Sequence, residues 1–144
     1  MSKNNKIRVL ALGVIRDGDR VFLSQGYDPA KDETFYRVMG GGVDFGEPSK
    51  DALQREFQEE IAAELTNIEY LGCLESIFTF NDRPGHEIIQ LYRADFVDRK
   101  FYDLEDLTFS EGDRQKKALW IDIDRFRSGE LRLVPEGFLP YLEA

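Results

Sequence analysis

Apolar and polar positions run in blocks whose period changes along the chain, and those changes assign the elements. The first block, Ile7 to Ile15, is rich in Val, Leu and Ile and reads as a strand. Arg16-Asp17-Gly18-Asp19 follows as a hairpin turn, and Val21-Phe22-Leu23 as the returning strand. A polar loop from Asp28 to Glu33 precedes a short strand at Phe35 to Met39, after which Gly40 to Gly42 and an irregular turn through Asp44 and Gly46 lead into a helix. There Leu53, Phe57 and Ile61 recur at helical spacing, Pro48 suits the first turn, and Ser49 and Asp51 favour the positive end. Ile68 to Phe80 and Ile88 to Phe96 return to strand patterning, with Asn81-Asp82-Arg83-Pro84-Gly85 as the turn between them. Leu119-Trp120-Ile121 is a further short strand, with Trp120 in the core. Helical turns are expected at Asp122 to Ser128 and at Glu136 to Leu142. No period assigns Asp98 to Lys117, and its acidic part, Asp98 to Asp106, reads as a solvated loop. Strands and helices are mixed without strict alternation. The expected fold class is therefore α+β, an αβα sandwich with a mixed β-sheet and flanking helices, rather than a doubly wound parallel sheet.

Composition narrows the function. A chain of 144 residues, 42% hydrophobic, fits one domain over 1–144 with a proper core, which excludes a disordered chain. With 28 acidic against 19 basic residues the net charge is -9, so the electrostatic footprint of a protein that coats a nucleic-acid polymer is missing. A phosphate-rich ligand would need a divalent cation to offset the repulsion. The lone cysteine, Cys73, excludes an internal disulfide and reads as a small buried hydrophobe. The polar start, Met1 to Lys6, precedes an apolar run broken at Arg8 and Arg16. It is too short to span a bilayer and shows no cleavage pattern, so a soluble cytoplasmic protein without a membrane partner is expected.

The chemistry is carried by the helix. Glu56, Glu59 and Glu60 fall within about one-third of its circumference. Like charges at these spacings cost a few tenths of a kcal/mol per pair. Two readings account for them: a solvated acidic face, or ligands for a hard cation such as Mg²⁺ or Mn²⁺, which wants several fixed oxygen donors. The glycines ahead of the helix favour the second, because a glycine run permits close backbone approach and frees carbonyls to coordinate. No Gly-Lys-Ser/Thr follows them, so this is not a Walker-type phosphate loop.

Gly41, five residues, Glu47, seven residues, Arg55-Glu56-Phe57, one residue and Glu59-Glu60 together resemble the signature of the Nudix hydrolases, G-x5-E-x7-R-E-U-x-E-E-x-G-U with U a bulky apolar residue. Tyr36-Arg37-Val38-Met39-Gly40-Gly41 is similar to the family's W-x-L-P-G-G approach, with Tyr for Trp and Met for Pro. Two positions depart from the pattern: Ala62 stands for the glycine and Ala63 for the bulky apolar residue. Since alanine in a left-handed cap carries about 1 kcal/mol of strain, the helix is expected to run on and stop nearer Asn67.

The resemblance implies metal-dependent hydrolysis of a nucleoside diphosphate linked to another group. It assigns Glu56, Glu59 and Glu60 as metal-binding and water-activating carboxylates, Gly40 as a carbonyl ligand, and Glu47 with Arg55 as the ion pair bracing loop against helix. Mg²⁺ or Mn²⁺ is the implied cofactor and a nucleotide-type small molecule the substrate. The alternative is a Nudix-fold module that binds a nucleotide without cleaving it, but such modules usually lose helix carboxylates that this chain keeps. Outside the motif, Arg37 is a candidate phosphate contact, Glu87 could face the metal from the sheet, and His86 could touch substrate. Glu111 is a candidate late-loop acid, with Asp113 and Asp106 equally placed. Family markers for ADP-ribose, diadenosine polyphosphate and NADH hydrolases are absent; the last is the array S-Q-P-W-P-F-P-x-S. The apolar strand Ile68 to Phe80 could serve a homodimer, as in many relatives.

Overall fold

Strand β1 (Ile7–Val14) is central because it is apolar on both faces: Leu10, Leu12 and Val14 enter one core, Ala11 the other. In the computed structural model, which describes residues 5–143, β1 pairs in parallel with β6 (Arg83–Phe96) and antiparallel with β4 (Glu33–Gly42). The short β2 (Arg16–Asp17) pairs only with β3 (Arg20–Asp28). Helix α1 (Ser49–Ile61) and strand β5 (Leu65–Phe80) follow β4, and α2 (Lys100–Asp103) follows β6. A hairpin of β7 (Asp106–Glu111) and β8 (Arg114–Asp122) leads to α3 (Asp124–Arg127), a 3-10 turn (Glu136–Phe138) and α4 (Leu139–Leu142). The strand order is β5-β6-β1-β4-β3-β8-β7.

The two cores make the layers. On one face α1 lays Ala52, Leu53 and Phe57 against Ala11, Phe22, Phe96 and Trp120. On the other, Phe126, Phe138 and Leu142 cover Leu12, Leu23, Ile89 and Leu91. Each such large side chain contributes about 1.5–3 kcal/mol through burial. Helix and strand approach closely at Gly13, where a Cβ would sit 3.2 Å from Leu53 Cδ1. The αβα sandwich with a mixed sheet is as expected.

Strand β4 positions the site by changing partners. Residues 39–42 pair with β1, whereas 33–38 pair with β3. The expected strand thus extends through all three glycines, and the sheet opens into a cleft where the partnership changes.

Several expectations fail for identifiable reasons. Helix α1 ends at Ile61, with Ala62 in the left-handed region at φ 54 and ψ 39, where its N–H donates to Gln58 O at 3.0 Å. The alternative would carry Ala63 and Leu65, both buried, away from the core, and burying them outweighs about 1 kcal/mol of strain. The turn is confined to Asn81 and Asp82, both at positive φ, and Pro84 and Gly85 belong to β6. The missing N–H of Pro84 costs nothing on the β1 side, since β6 pairs with β1 only from His86 onward. Asp98 to Asp106 is not a solvated loop: Phe101 is buried, and Trp120 Nε1–H donates to its carbonyl at 2.8 Å. Cys73 is exposed, not buried, because register shifts in the edge strand β5 turn it outward while Leu71 and Leu74 pack inward.

Among the described residues no helix is long and apolar enough to cross a membrane. The expectation for the chain start falls mostly on residues 1–4, outside the described range.

Candidate functional site

Glu56 and Glu60 stand one turn apart on α1 and line the cleft opposite Gly40, Gly41 and Gly42. At Gly40, with φ 151, only glycine fits, because a Cβ would collide with the Ala11 carbonyl, and a Cβ on Gly41 would push against the Glu56 carboxylate. The cleft, about 310 Å³, also admits Glu111 from β7, Lys116 from β8, Arg8 from β1 and Arg37 from β4.

Arg55 holds this edge together. Its Nε and Nη2 donate to the two carboxylate oxygens of Glu47 at 2.9 and 3.0 Å, and Nη2 also donates to Gly42 O at 2.9 Å. Nη1 donates to Glu56 at 2.9 Å and to Glu59 at 3.2 Å. One guanidinium thus ties helix, loop and strand together in the forked geometry that a lysine cannot reproduce. The same hydrogen bonds, with one from the Asp44 backbone N–H, hold the Glu47 carboxyl below its ordinary pKa.

The carboxylates across the cleft behave differently. Burial pushes Glu60 up to about 9, helped by a hydrogen bond with Glu111 and by the charges of Glu111 and Glu56. Burial also raises Glu56, outweighing its hydrogen bond from Arg55. At Glu111 burial works upward too, but Lys116 Nζ at 3.0 Å and the contact with Glu60 prevail and hold it below the ordinary value. Glu60 Oε1 is buried with no hydrogen-bond partner. Among the described residues, no three His, Cys, Asp or Glu side chains already stand as a finished metal cage. What stands there is a set of oxygen donors with one orphaned acceptor, the chemistry that suits a hard divalent cation.

Of the residues expected at the site, Glu56, Glu60, Glu111, Gly40, Gly41 and Arg37 line the cleft, and Glu47 with Arg55 braces it. Glu59 does not line it: its side chain is 59% exposed and turned toward Arg55. His86 lies elsewhere, with Nε2 2.8 Å from Glu75 Oε2. Glu87 is buried but pairs with Arg37 rather than with the acidic edge. Asp106 faces Lys117 instead. Sequence reasoning missed Arg8 and Lys116. Arg8 was legible as the charge sharing a face with Leu10 and Leu12, but Lys116 depended on a hairpin that no period announced.

The family model for the NUDIX domain matches residues 4–142. The chain is 28% identical over 134 residues to the NAD-capped RNA hydrolase NudC of Pseudomonas putida (strain W619), covering 88% of this chain and 46% of that protein. It therefore spans about half the length of that curated relative. Among solved structures, the MutT NUDIX hydrolase from Burkholderia pseudomallei superposes with a TM-score of 0.61 at 24% identity, over 83% of this chain and 86% of that one. The NUDIX hydrolase from Nitrosomonas europaea gives 0.62 at 19% identity, over 90% and 82%. At those identities the structures speak for the fold. With the motif at the cleft edge and the family match across nearly the whole chain, the protein belongs to the Nudix family.

Proposed function

We propose that this chain is a pyrophosphohydrolase that uses Mg²⁺ or Mn²⁺ to cleave a nucleoside diphosphate linked to another moiety, of the ADP-ribose, nucleotide-sugar or (d)NTP class. The observation that carries the reading is the orphaned oxygen of Glu60, buried beside Glu111 and near the glycine backbone of β4. An unsatisfied buried carboxylate oxygen is costly, and a cation is the partner that would relieve it. Glu56, Glu60 and the Gly40 carbonyl would hold that cation, with Glu59 and Glu111 at its margins. An all-oxygen donor set suits Mg²⁺ or Mn²⁺ better than a softer metal. When bound, such an ion supplies Lewis acidity and lowers the pKa of coordinated water.

The chain's own residues supply the rest. Glu56, and Glu60 once a cation takes the place of its proton, would accept a proton from an attacking water. Arg55 fixes the edge that carries them, and Lys116 tempers the charge of Glu111. The Pseudomonas putida relative is named for NAD-capped RNA, which adds NAD and NAD-capped RNA to the candidate substrates. The net charge of -9 weighs against an RNA partner. A cytoplasmic location is part of the same reading. So is a homodimer on the edge strand β5, where Tyr70 and Ile77 are exposed; a light-scattering mass of 16.7 kDa would dismiss it.

The test is turnover of a panel of ADP-ribose, nucleotide sugars, (d)NTPs, dinucleoside polyphosphates and NAD, with Mg²⁺ or Mn²⁺ and with chelator. The expected result is cleavage of one class at kcat/KM of about 10⁴ M⁻¹s⁻¹ or above, lost with chelator. No turnover of any member, with a ligand still raising the melting temperature, would favour the non-catalytic binding module.

A further inference from the structure

The cleft holds three cations in a strongly acidic protein, and two of them are little used. Lys116 is committed to Glu111 at 3.0 Å. Arg37 is held by Glu87, which is itself buried, through a single donor, Nη2; its Nε is buried without a hydrogen-bond partner, and Nη1 makes no hydrogen bond among the described residues. Arg8 makes neither a hydrogen bond nor an ion pair among the described residues, although its charge reaches Glu111. Register places the Arg8 backbone beside that of Glu87 on the neighbouring strand, while the Arg8 guanidinium, which makes no ion pair with Glu87, lies close to Gly42 on the same cleft wall. Arg8 and Arg37 thus bring to one cleft wall a surplus of N–H donors with no acceptor among the described residues.

We propose that Arg8 and Arg37, the latter held by Glu87, form a second anion subsite that takes a phosphate group of the substrate other than those held at the acidic edge. A phosphate offers only acceptors and carries negative charge, which matches what the two arginines lack, and guanidinium groups bind it bidentately. Glu87 acts as the positioning residue: it keeps the Arg37 side chain across β1 and in the cleft wall. The inference rests on the hydrolase reading above and sharpens it toward substrates that carry a phosphate beyond the pyrophosphate unit cleaved.

The test titrates inorganic phosphate into the metal-free protein, in chelator, followed by amide chemical shifts or calorimetry. Wild type should bind phosphate, with shifts at Arg8, Arg37 and their neighbours. Arg37→Met and Arg8→Gln should each weaken binding by about tenfold. Arg8 is exposed, so Arg8→Gln keeps the test open if Arg37→Met fails to fold. Arg99→Gln, which removes an exposed charge elsewhere, should leave binding unchanged. For a substrate with a distal phosphate, Arg8→Gln and Arg37→Met should raise KM, and for one without it they should not. No phosphate binding to wild type, or equal binding to wild type and both cleft variants, would overturn the subsite even where chelator-sensitive hydrolysis is found. Phosphate binding lost in both cleft variants, with no hydrolysis of any substrate, would uphold the subsite and reject the hydrolase reading instead.

Discussion

Burial holds the Glu60 carboxyl far above its ordinary titration range, and its replacement separates function from stability. Burial and Glu111 keep it protonated to about 9, against 4.5 for an ordinary glutamate. A group whose folded pKa is raised contributes stability that is full below the unfolded value and fades as pH climbs toward the folded one. The metal-free protein should therefore lose thermal stability between about pH 5 and pH 9, and Glu60→Gln should flatten that decline. The same variant should lose roughly 10²–10⁴-fold in turnover. Thermal melts in chelator across that range, beside turnover with Mg²⁺, check both; an equally steep decline in the variant would remove Glu60 as its cause. Ala62 makes a different point. In sequence it departs from the family pattern and predicts a longer helix, yet it occupies the left-handed cap that the usual glycine would take. Local propensity was outvoted by the burial of Ala63 and Leu65, one and three residues further on, a tertiary gain that a single residue does not advertise. Ala62→Gly should consequently raise the melting temperature by about 1–4 °C without changing turnover. A lower melting temperature would mean that the cap is not strained.

At the scale of elements, α1 works because its apolar stripe and its acidic edge are held at fixed angles to one another. Leu53 and Phe57 fix the helix against Gly13, and Arg55 fixes the loop against the helix. Leu53→Ala should cost about 2–5 kcal/mol of stability, measured by denaturant unfolding. Arg55→Lys keeps the charge but not the fork. It should reduce turnover by tenfold or more and speed hydrogen exchange at residues 42–47. Exchange and turnover like those of wild type would show that the brace is dispensable. The stripe, the glycine run and the Glu47–Arg55 pair were all legible, because helical spacing and motif spacing encode them within about twenty residues. The β7–β8 hairpin was not. Its outward positions are polar or charged, and its inward anchors, Phe109 and Ala118, show their pattern only once Phe101 and Trp120 are seen packed beside them. Without the hairpin, nothing in the spacing marks Lys116 or prefers Glu111 to Asp106 or Asp113.

For the whole molecule, the decisive feature is the change of partner along β4, which opens the sheet beside α1 and makes one cleft out of residues spread from Arg8 to Lys116. Mixed topology was readable from the order of elements, but which strand would be shared was not, because pairing depends on register between segments far apart in sequence. The net charge of -9 acquires a local meaning in this setting. Carboxylates gather at one edge of the cleft, and a divalent cation would let them face a phosphate group. That claim is tested most directly by titrating Mn²⁺ into the wild-type protein and into Glu56→Gln and Glu60→Gln, followed by calorimetry or by the loss of free Mn²⁺ signal in electron paramagnetic resonance. The account predicts saturable binding to wild type, weakened roughly 10- to 100-fold in each variant. Mn²⁺ binding of equal strength in all three proteins, or none in wild type, would contradict it.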